Sequence, residues 1–385
     1  MPGSDFHLFL ANLSLVARGG TRSKEEVYRV IIGNEAADLD SMASSLLHGY
    51  LHQRLEPADS KVTWLPVINI PRDEFVLRTE CTYVFNKCGI KTDELVFIDE
   101  IDLKSLASAA TLELVIVDHN KLAPKQDYLG DYVKGILDHH KDEGLYLDAQ
   151  PRIIEVVGSC TTLIISHWLS SCTSNHKTYL CNETAMLALG PILLDTINLD
   201  EHYDRVRPKD SEVAKTLIEY LIDTPMDFPG AQQYYTEIRE AKFNIHHLPS
   251  RDLLRKDYKE WKISGYPIGI STVTWSLDAW LERDGEQEFT KAVESYAREH
   301  SLDLLGIMTA FENKDTQDFA RQLVLYLNND KLNDLPGRLE STELKLQKKD
   351  SVLIGRKPFY AYEQMNVHCS RKQVQPIVKD AIQSL

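Results

Sequence analysis

A chain of 385 residues exceeds one ordinary core and favours two domains of roughly 150 to 220 residues. Its composition, 43% hydrophobic and 26% charged, is that of a soluble globular protein, and no run approaches the ~18 consecutive apolar residues that would span a bilayer. A formal charge of −15 argues against nucleic acid or an anionic membrane as partner.

The acid is unevenly spread. Residues 1–222 carry 21 Lys and Arg against 33 Asp and Glu, a balance of −12, and residues 223–385 carry 22 against 25, a balance of −3. The opening "MPGSDFHLFLANLSLVARGG" has no basic start followed by a long apolar core, so no secretory signal is expected, and the final "QSL" is not the "SKL" peroxisomal address. Six scattered cysteines without CxxC spacing read as reduced thiols in a cytoplasmic protein, not as a zinc site or a disulfide framework.

In chain order, short β-branched runs bounded by polar turns read as strands: Val27–Ile32, Val62–Ile70, Glu94–Ile98, Leu112–Asp118 and Val133–Asp138. Helical segments such as Ser41–Gln53 lie between some of them. The alternation predicts an α/β fold, a mostly parallel sheet with flanking helices, in which ligands gather at the carboxyl ends of the strands. Two prolines and a glycine in Asp223–Tyr235 place a domain boundary there, giving domains 1–222 and 223–385 with a hinge near 223–245. The second is expected to be a smaller, mixed α/β domain with strands at Ile268–Trp275, Leu302–Phe311 and Arg321–Leu327.

Three predicted strands end in acids or imidazoles. "VIIGNEAADLD" supplies Asp38 and Asp40, "LVIVDHN" supplies Asp118 and His119, and "GILDHH" supplies Asp138, His139 and His140. A fourth apolar run, "LGPILLDTIN", ends at Asp195. If the strands are parallel neighbours these groups meet at one sheet edge, where carboxylate repulsion is severe unless cations are bound. Carboxylates mixed with imidazoles suit Mg²⁺, Mn²⁺, Co²⁺ or Zn²⁺, and several carboxylates with spare positions suit a pair of ions. An EF-hand beginning at Asp38 is excluded, since Ala43 and Gly49 stand where Gly and Glu are needed, and no GK[ST] ending marks a P-loop.

The ordered set "NEAADLDS", "VDHN", "LDHH" and "LLDTIN" resembles the DHH phosphoesterase superfamily, in the branch with a DHHA2-type C-terminal domain. That branch includes family II inorganic pyrophosphatases, eukaryotic exopolyphosphatases and prune-like proteins. The resemblance implies one divalent metal on Asp38 and Asp118 and a second on Asp40, Asp118, His139 and Asp195, with His119 and Asp138 as orienting partners and His140 facing the substrate. Pyrophosphatases of the family carry a ligand histidine where Asn34 stands here. An amide oxygen ligand at Asn34 implies tolerance of Mg²⁺ beside Mn²⁺, and the "GNE" context resembles exopolyphosphatases and prune-like proteins.

Lys259 and the "SRK" of Arg371 and Lys372 match the family's phosphate-binding positions, while the basic neighbours Arg255 and Lys256 have no such match. Ser159 in "GSCTT" reads as a helix N-cap, or as part of a helix N-terminus facing phosphate. His167, His246 and His247 read as packing or surface residues.

The expected activity is therefore exopolyphosphatase: hydroxide generated between two divalent ions attacks the terminal phosphorus of inorganic polyphosphate in a cleft between the domains. Inorganic pyrophosphatase, a prune-like short-chain polyphosphatase or phosphodiesterase acting through partner binding, and a non-enzymatic metal-binding scaffold are the alternatives. A monomer is favoured.

Overall fold

The first elements form around a parallel sheet. An amphipathic helix, Asp5–Arg18 (α1), buries Phe6, Leu10 and Leu13 ahead of the first strand, Val27–Ile32 (β1). There follow Leu39–Gln53 (α2), Val62–Val67 (β2), Thr79–Lys87 (α3), Leu103–Ala109 (α4), Thr111–Val117 (β3), Val133–Asp138 (β4) and Arg152–Ile154 (β5). Helices Cys160–Ser171 (α5), Asn182–Asp195 (α6), Pro208–Ile222 (α7) and Ala231–Phe243 (α8) complete this part. The five strands are all parallel, in the order β2-β1-β3-β4-β5.

The order in which strands are added reverses between β1 and β3, β2 lying on one side of β1 and β3 on the other. At such a switch point the loops leaving neighbouring strands part, and a crevice opens at their carboxyl ends. Asp38 follows β1 and Asp118 follows β3, so the topology delivers both to that crevice.

The structure, a computed structural model, describes residues 5–19, 22–171, 180–224, 228–313, 316–349 and 358–385. It divides into two compact units, Met1–Asn244 and Ile245–Leu385. The division falls at the far end of the expected hinge and not at residue 222, because α8 buries Tyr234 and Ile238 in the first core, where the Tyr234 hydroxyl donates to the Met186 carbonyl at 3.1 Å. Cys172 and the Gly355–Lys357 part of the basic "GRKPF" segment lie outside the described residues.

Helix α2 is buried from Leu39 to Leu51, which explains its Ala and Ser content: small side chains let it lie close against the sheet. Gly33 is needed for that approach, since a Cβ there would stand 2.2 Å from Ser41 Oγ. Two expected elements differ. Glu94–Ile98 forms no strand and touches the sheet through a single bridge between Ile68 and Phe97. The apolar run before Asp195 is α6, buried from Thr184 to Leu193 despite the internal Pro191.

Against the outer part of α2 lies an imidazole cluster. His52 stacks on Trp64 at 4.5 Å, His48 packs on His52 at 4.3 Å, and His167 approaches His52 at 6.4 Å between ring centroids. This agrees with a packing role for His167. Burial holds the His48 imidazole well below the ordinary 6.5, and burial with the neighbouring His167 lowers His52 to about 4. Rings that are neutral when folded and protonated when unfolded leave stability intact above pH 6.5 and remove it as pH falls toward 4. We expect His48→Phe to flatten the acid limb of a Tm-against-pH curve between those values; an unchanged limb would remove this cluster from the acid response.

The second unit has a six-stranded sheet of order β12-β13-β11-β8-β7-β6. Its elements are Ser250–Lys256 (α9), Tyr258–Ile263 (β6), Tyr266–Val273 (β7), Leu277–Glu299 (α10, interrupted at Gly285), Leu304–Thr309 (β8), Phe311–Glu312 (β9), Phe319–Ala320 (β10), Gln322–Leu327 (β11), Leu335–Glu340 (α11), Leu346–Lys348 (β12), Phe359–Gln364 (β13) and Arg371–Gln383 (α12). Among the described residues of this sheet, only β7 and β8 pair in parallel. Alternate residues face opposite cores: Leu305, Ile307 and Val324 pack with Trp280, Phe289 and Val293 of α10, whereas Leu304, Met308 and Leu325 pack with Leu335 of α11 and Val374 and Val378 of α12.

Candidate metal centre

Asn34, Asp38, Asp40, Asp118, His139, His140 and Asp195 line one cavity of about 350 Å³ in the first unit, together with Gly158, Asp204, Arg205 and Arg207. Residues from six separate stretches of chain thus meet at the carboxyl edge of the sheet. Ligand atoms of Asp118, His139 and His140 all lie within 4.8 Å of one another.

Each carboxylate is held differently. Asp38 caps α2, accepting the Ser41 N–H at 3.1 Å through Oδ1. Asp40 is gripped by the start of α5: Oδ1 accepts from Ser159 Oγ at 2.7 Å, Thr161 N at 2.9 Å and Thr161 Oγ1 at 2.7 Å, and Oδ2 accepts from Cys160 N at 2.6 Å. The helix N-terminus considered as a phosphate site is therefore occupied by Asp40, a buried anion whose charge it stabilises. Asp195 ends α6, where burial and the charges of Asp40 and Asp38 raise its carboxyl well above the ordinary 3.8.

Asp118 sits in the left-handed region (φ 60°) directly after β3. Its Oδ2 accepts from Asn34 Nδ2 at 2.7 Å, while its buried Oδ1 accepts no hydrogen bond. Burial first, and then the neighbouring Asp40, push its carboxyl upward.

Asn34 is turned opposite to expectation. Its Oδ1 accepts the Ala36 N–H at 2.9 Å and the Ala37 N–H at 3.1 Å, so the oxygen expected to coordinate metal is committed to a turn and the NH₂ group faces Asp118. Two backbone donors on one atom fix the orientation of the amide.

The imidazoles are also oriented by acceptors. His139 Nδ1 lies 3.0 Å from the Val157 carbonyl, so Nδ1 carries the proton, and Nε2 faces Asp118 Oδ1 at 3.1 Å and Asp40 Oδ2 at 3.8 Å. In a neutral ring Nε2 is a lone pair directed at carboxylate oxygens, an arrangement that needs a proton or a cation among them. Without metal the proton wins: burial alone would lower His139, but its contact with Asp118 and the charge of Asp40 lift it to about 10. This donor set, with an orphaned buried carboxylate oxygen, fits divalent cations.

His140 Nδ1 donates to Asp138 Oδ1 at 2.7 Å, and the other Asp138 oxygen takes Asn120 Nδ2. That bond raises the His140 pKa and leaves Nε2 toward the cavity. His119 turns away, its Nδ1 bound to the Val117 carbonyl at 2.9 Å and its Nε2 buried without a partner. It touches none of the expected ligand side chains through a hydrogen bond, which leaves the orienting work to Asp138.

Lys259, Arg371 and Lys372 belong to the second unit. Lys259 is exposed on β6 and Lys372 is exposed on α12, but Arg371 is engaged, donating through Nη2 to Asp257 Oδ1 and through Nη1 to the Asp257 carbonyl, both at 2.6 Å. Arg255 pairs with Asp252 at 2.7 Å. Arg205 and Arg207 escaped sequence reasoning; the signal was two arginines in "DRVRP", ten and twelve residues past Asp195 and ahead of a proline-initiated helix.

A parallel sheet that concentrates acid and imidazole at its switch point, joined to a mixed-sheet unit, is an architecture of metal-dependent phosphoesterases. Residues 236–381 match the family model described as DHHA2 domain. The chain is 33% identical over 355 residues to mouse "Exopolyphosphatase PRUNE1", covering 92% of this chain and 75% of that protein, and 32% identical over 357 residues to the human protein of the same name, with the same coverage. A "Manganese-dependent inorganic pyrophosphatase" from Methanocaldococcus jannaschii is 26% identical over 286 residues, covering 72% of this chain and 81% of that one. The chain belongs to the exopolyphosphatase branch of the DHH phosphoesterases that carry a DHHA2 domain.

Proposed function

We propose that this protein is an exopolyphosphatase, a hydrolase that releases orthophosphate from the end of inorganic polyphosphate and requires divalent metal. The observation that carries the reading is the convergence of His139 Nε2 on the buried Asp118 Oδ1 at 3.1 Å and on Asp40 Oδ2 at 3.8 Å, on a ring whose Nδ1 is already bound to the Val157 carbonyl. Buried carboxylates crowded around one imidazole need compensating positive charge, which a proton on the ring supplies in the metal-free protein and a bound cation would supply in its place.

Asp38 and Asp118 would hold one ion, and Asp40, Asp118, His139 and Asp195 a second, with Mg²⁺ or Mn²⁺ the candidates. Ions held there neutralise phosphoryl oxygens and acidify a water for attack on phosphorus. Asn34 keeps Asp118 aligned by its NH₂ group and leaves the coordination to carboxylates and imidazole. Asp40 is held in place by the hydrogen bonds that α5 donates to it.

Asp138 holds His140 by Nδ1 and raises its pKa above the ordinary 6.5, and an Nε2–H facing the cavity would donate to the oxygen that leaves as the chain shortens by one phosphate. Lys259 and Lys372 offer exposed ammonium groups for the polyanion, and Arg371 keeps its guanidinium only in part, because Asp257 occupies two of its donors.

Phosphate release should be measured from pyrophosphate, tripolyphosphate and long polyphosphate with Mg²⁺, Mn²⁺ and Co²⁺. We expect release from tripolyphosphate and longer chains with Mg²⁺ or Mn²⁺, and none after chelation. Turnover confined to pyrophosphate would replace this reading with a pyrophosphatase, and no release under any metal would leave a scaffold.

A further inference from the structure

Beyond the carboxylates, the chain takes an unusual path back to the cavity. Ile197, Asn198 and Leu199, directly after α6, are all left-handed (φ 54°, 58° and 61°), and Asp204 is left-handed as well (φ 52°). Side-chain-bearing residues rarely adopt this conformation in succession, β-branched Ile least of all. Here it is held by Asn198 N to the Leu193 carbonyl at 2.7 Å, Leu199 N to Thr196 Oγ1 at 3.0 Å, and Asn198 Nδ2 to Gln232 Oε1 at 2.7 Å. Strain of this kind persists where the surroundings enforce it, and its consequence is positional: residues 204–207 return to the cavity wall.

The returning segment is then clamped. Asp210, fully buried, accepts the Arg207 N–H and the Gly158 N–H on Oδ2 at 2.8 Å each, and the Thr162 hydroxyl on Oδ1 at 2.6 Å. Gly158 lies so close that a Cβ there would stand 2.6 Å from the Arg205 carbonyl oxygen. The backbone of 205–207 is thereby fixed to the loop that opens α5, the same helix start that grips Asp40.

Two guanidinium groups arrive at the wall, and they differ. Arg207 Nη1 is spent on Asp204 Oδ1, the Asp204 carbonyl and the Val206 carbonyl. Arg205 makes no side-chain hydrogen bond or ion pair among the described residues, although the cavity it lines is rich in carboxylates. Three of the carboxylates have other commitments, Asp40 to α5, Asp38 to its cap, and Asp118 to Asn34 and His139, and Asp195 makes no ion pair with Arg205. A planar fork of donors on an anchored backbone, without an internal acid, matches an external tetrahedral oxyanion bidentately.

We propose that Arg205 is a substrate-contacting residue whose guanidinium grips the oxygens of the phosphoryl group seated in this cavity. The proposal rests on the phosphohydrolase reading above and extends it, giving the first unit a phosphate ligand of its own beside those expected in the second. Every substrate must place its attacked phosphoryl group at this cavity, so the contact serves all chain lengths and the orthophosphate product alike.

The test compares the full-length chain with its Arg205→Ala and Arg205→Lys variants in three measurements: KM and kcat on tripolyphosphate with Mg²⁺, inhibition by orthophosphate, and calorimetric titration of the Mg²⁺-loaded protein with inorganic phosphate. A charge-assisted contact of this type predicts about a tenfold or greater rise in KM and in the phosphate inhibition and dissociation constants for Arg205→Ala, with Tm unchanged. Arg205→Lys should fall between, and added guanidinium should recover part of the Ala variant's affinity. Constants within about twofold of the parent overturn the assignment, as does a loss of kcat that tracks a lowered Tm. If the parent releases no phosphate from any substrate, the phosphohydrolase reading fails, and the calorimetric comparison still decides whether Arg205 binds the anion.

Discussion

Asp118→Asn is expected to lower phosphate release by about a thousandfold or more and, at the same time, to raise the Tm of the metal-free protein. Asp118 is common to both expected ion sites, so its loss removes a ligand from each and disorganises the charge that phosphoryl transfer needs. Stability moves the other way because the native Asp118 is penalised: burial and the neighbouring Asp40 push its carboxyl above the ordinary 3.8. A carboxyl raised on folding holds its proton further into the neutral range when folded than when unfolded. Its stabilising contribution is present at low pH and is lost as pH rises through the folded value, so the gain from the amide should grow with pH.

Backbone strain does not confuse the comparison, since Asn tolerates the left-handed conformation (φ 60°) that Asp118 adopts. His139 loses an anionic neighbour in the variant and should titrate below the value of about 10 that Asp118 and Asp40 together sustain. Assays with saturating Mg²⁺ or Mn²⁺, paired with melting curves in chelator at several pH values, read both effects. Activity within tenfold of the parent, or a fall in metal-free Tm, would defeat the shared-ligand assignment.

The legible part of this site is the part written in adjacent residues. Asp138, His139 and His140 follow a buried strand, and neighbouring imidazoles beside an acid have little packing value, so they announced chemistry directly. What the sequence concealed follows from geometry. The run before Asp195 is apolar on every side because α6 is buried all round, and periodicity cannot separate such a helix from a strand. Glu94–Ile98 has strand composition but finds only one bridging partner. α8 follows the proline-rich boundary yet carries Tyr234 and Ile238 into the first core, so composition placed the division too early.

The direction of a side chain is less legible still. Nothing in "GNE" reveals that Asn34 commits its oxygen to Ala36 and Ala37 and offers its NH₂ to Asp118. Arg205 reaches the cavity only because three left-handed residues fold the chain back, and no local propensity encodes that turn. Residue types that bear chemistry were visible, whereas contacts made between distant parts of the chain were not, as the 119- to 121-residue separations between Asp40 and its donors illustrate.

Those donors make Asp40 the opposite of Asp118 in its effect on folding. Asp40→Asn, also expected to impair activity, should destabilise the protein by about 3 kcal/mol, a fall in Tm of roughly 6–12 °C for a unit of this size. In the native structure four donors converge on its two oxygens: Ser159 Oγ, Thr161 N and Thr161 Oγ1 on one, Cys160 N on the other. The two backbone N–H groups cannot reverse their polarity. An amide must therefore set its own NH₂ against Thr161 N or against Cys160 N, whichever way it is turned, leaving one buried donor facing another. The α5 terminus also loses the negative charge that complements its dipole, and the hydroxyls of Ser159 and Thr161 can compensate only by turning away. Hydrogen exchange at Cys160 and Thr161 should accelerate together with the drop in Tm. A variant that melts with the parent and keeps those amides protected would mean that the helix start is organised without Asp40, and the cradle that fixes one wall of the cavity would have to be sought in Asp210 instead.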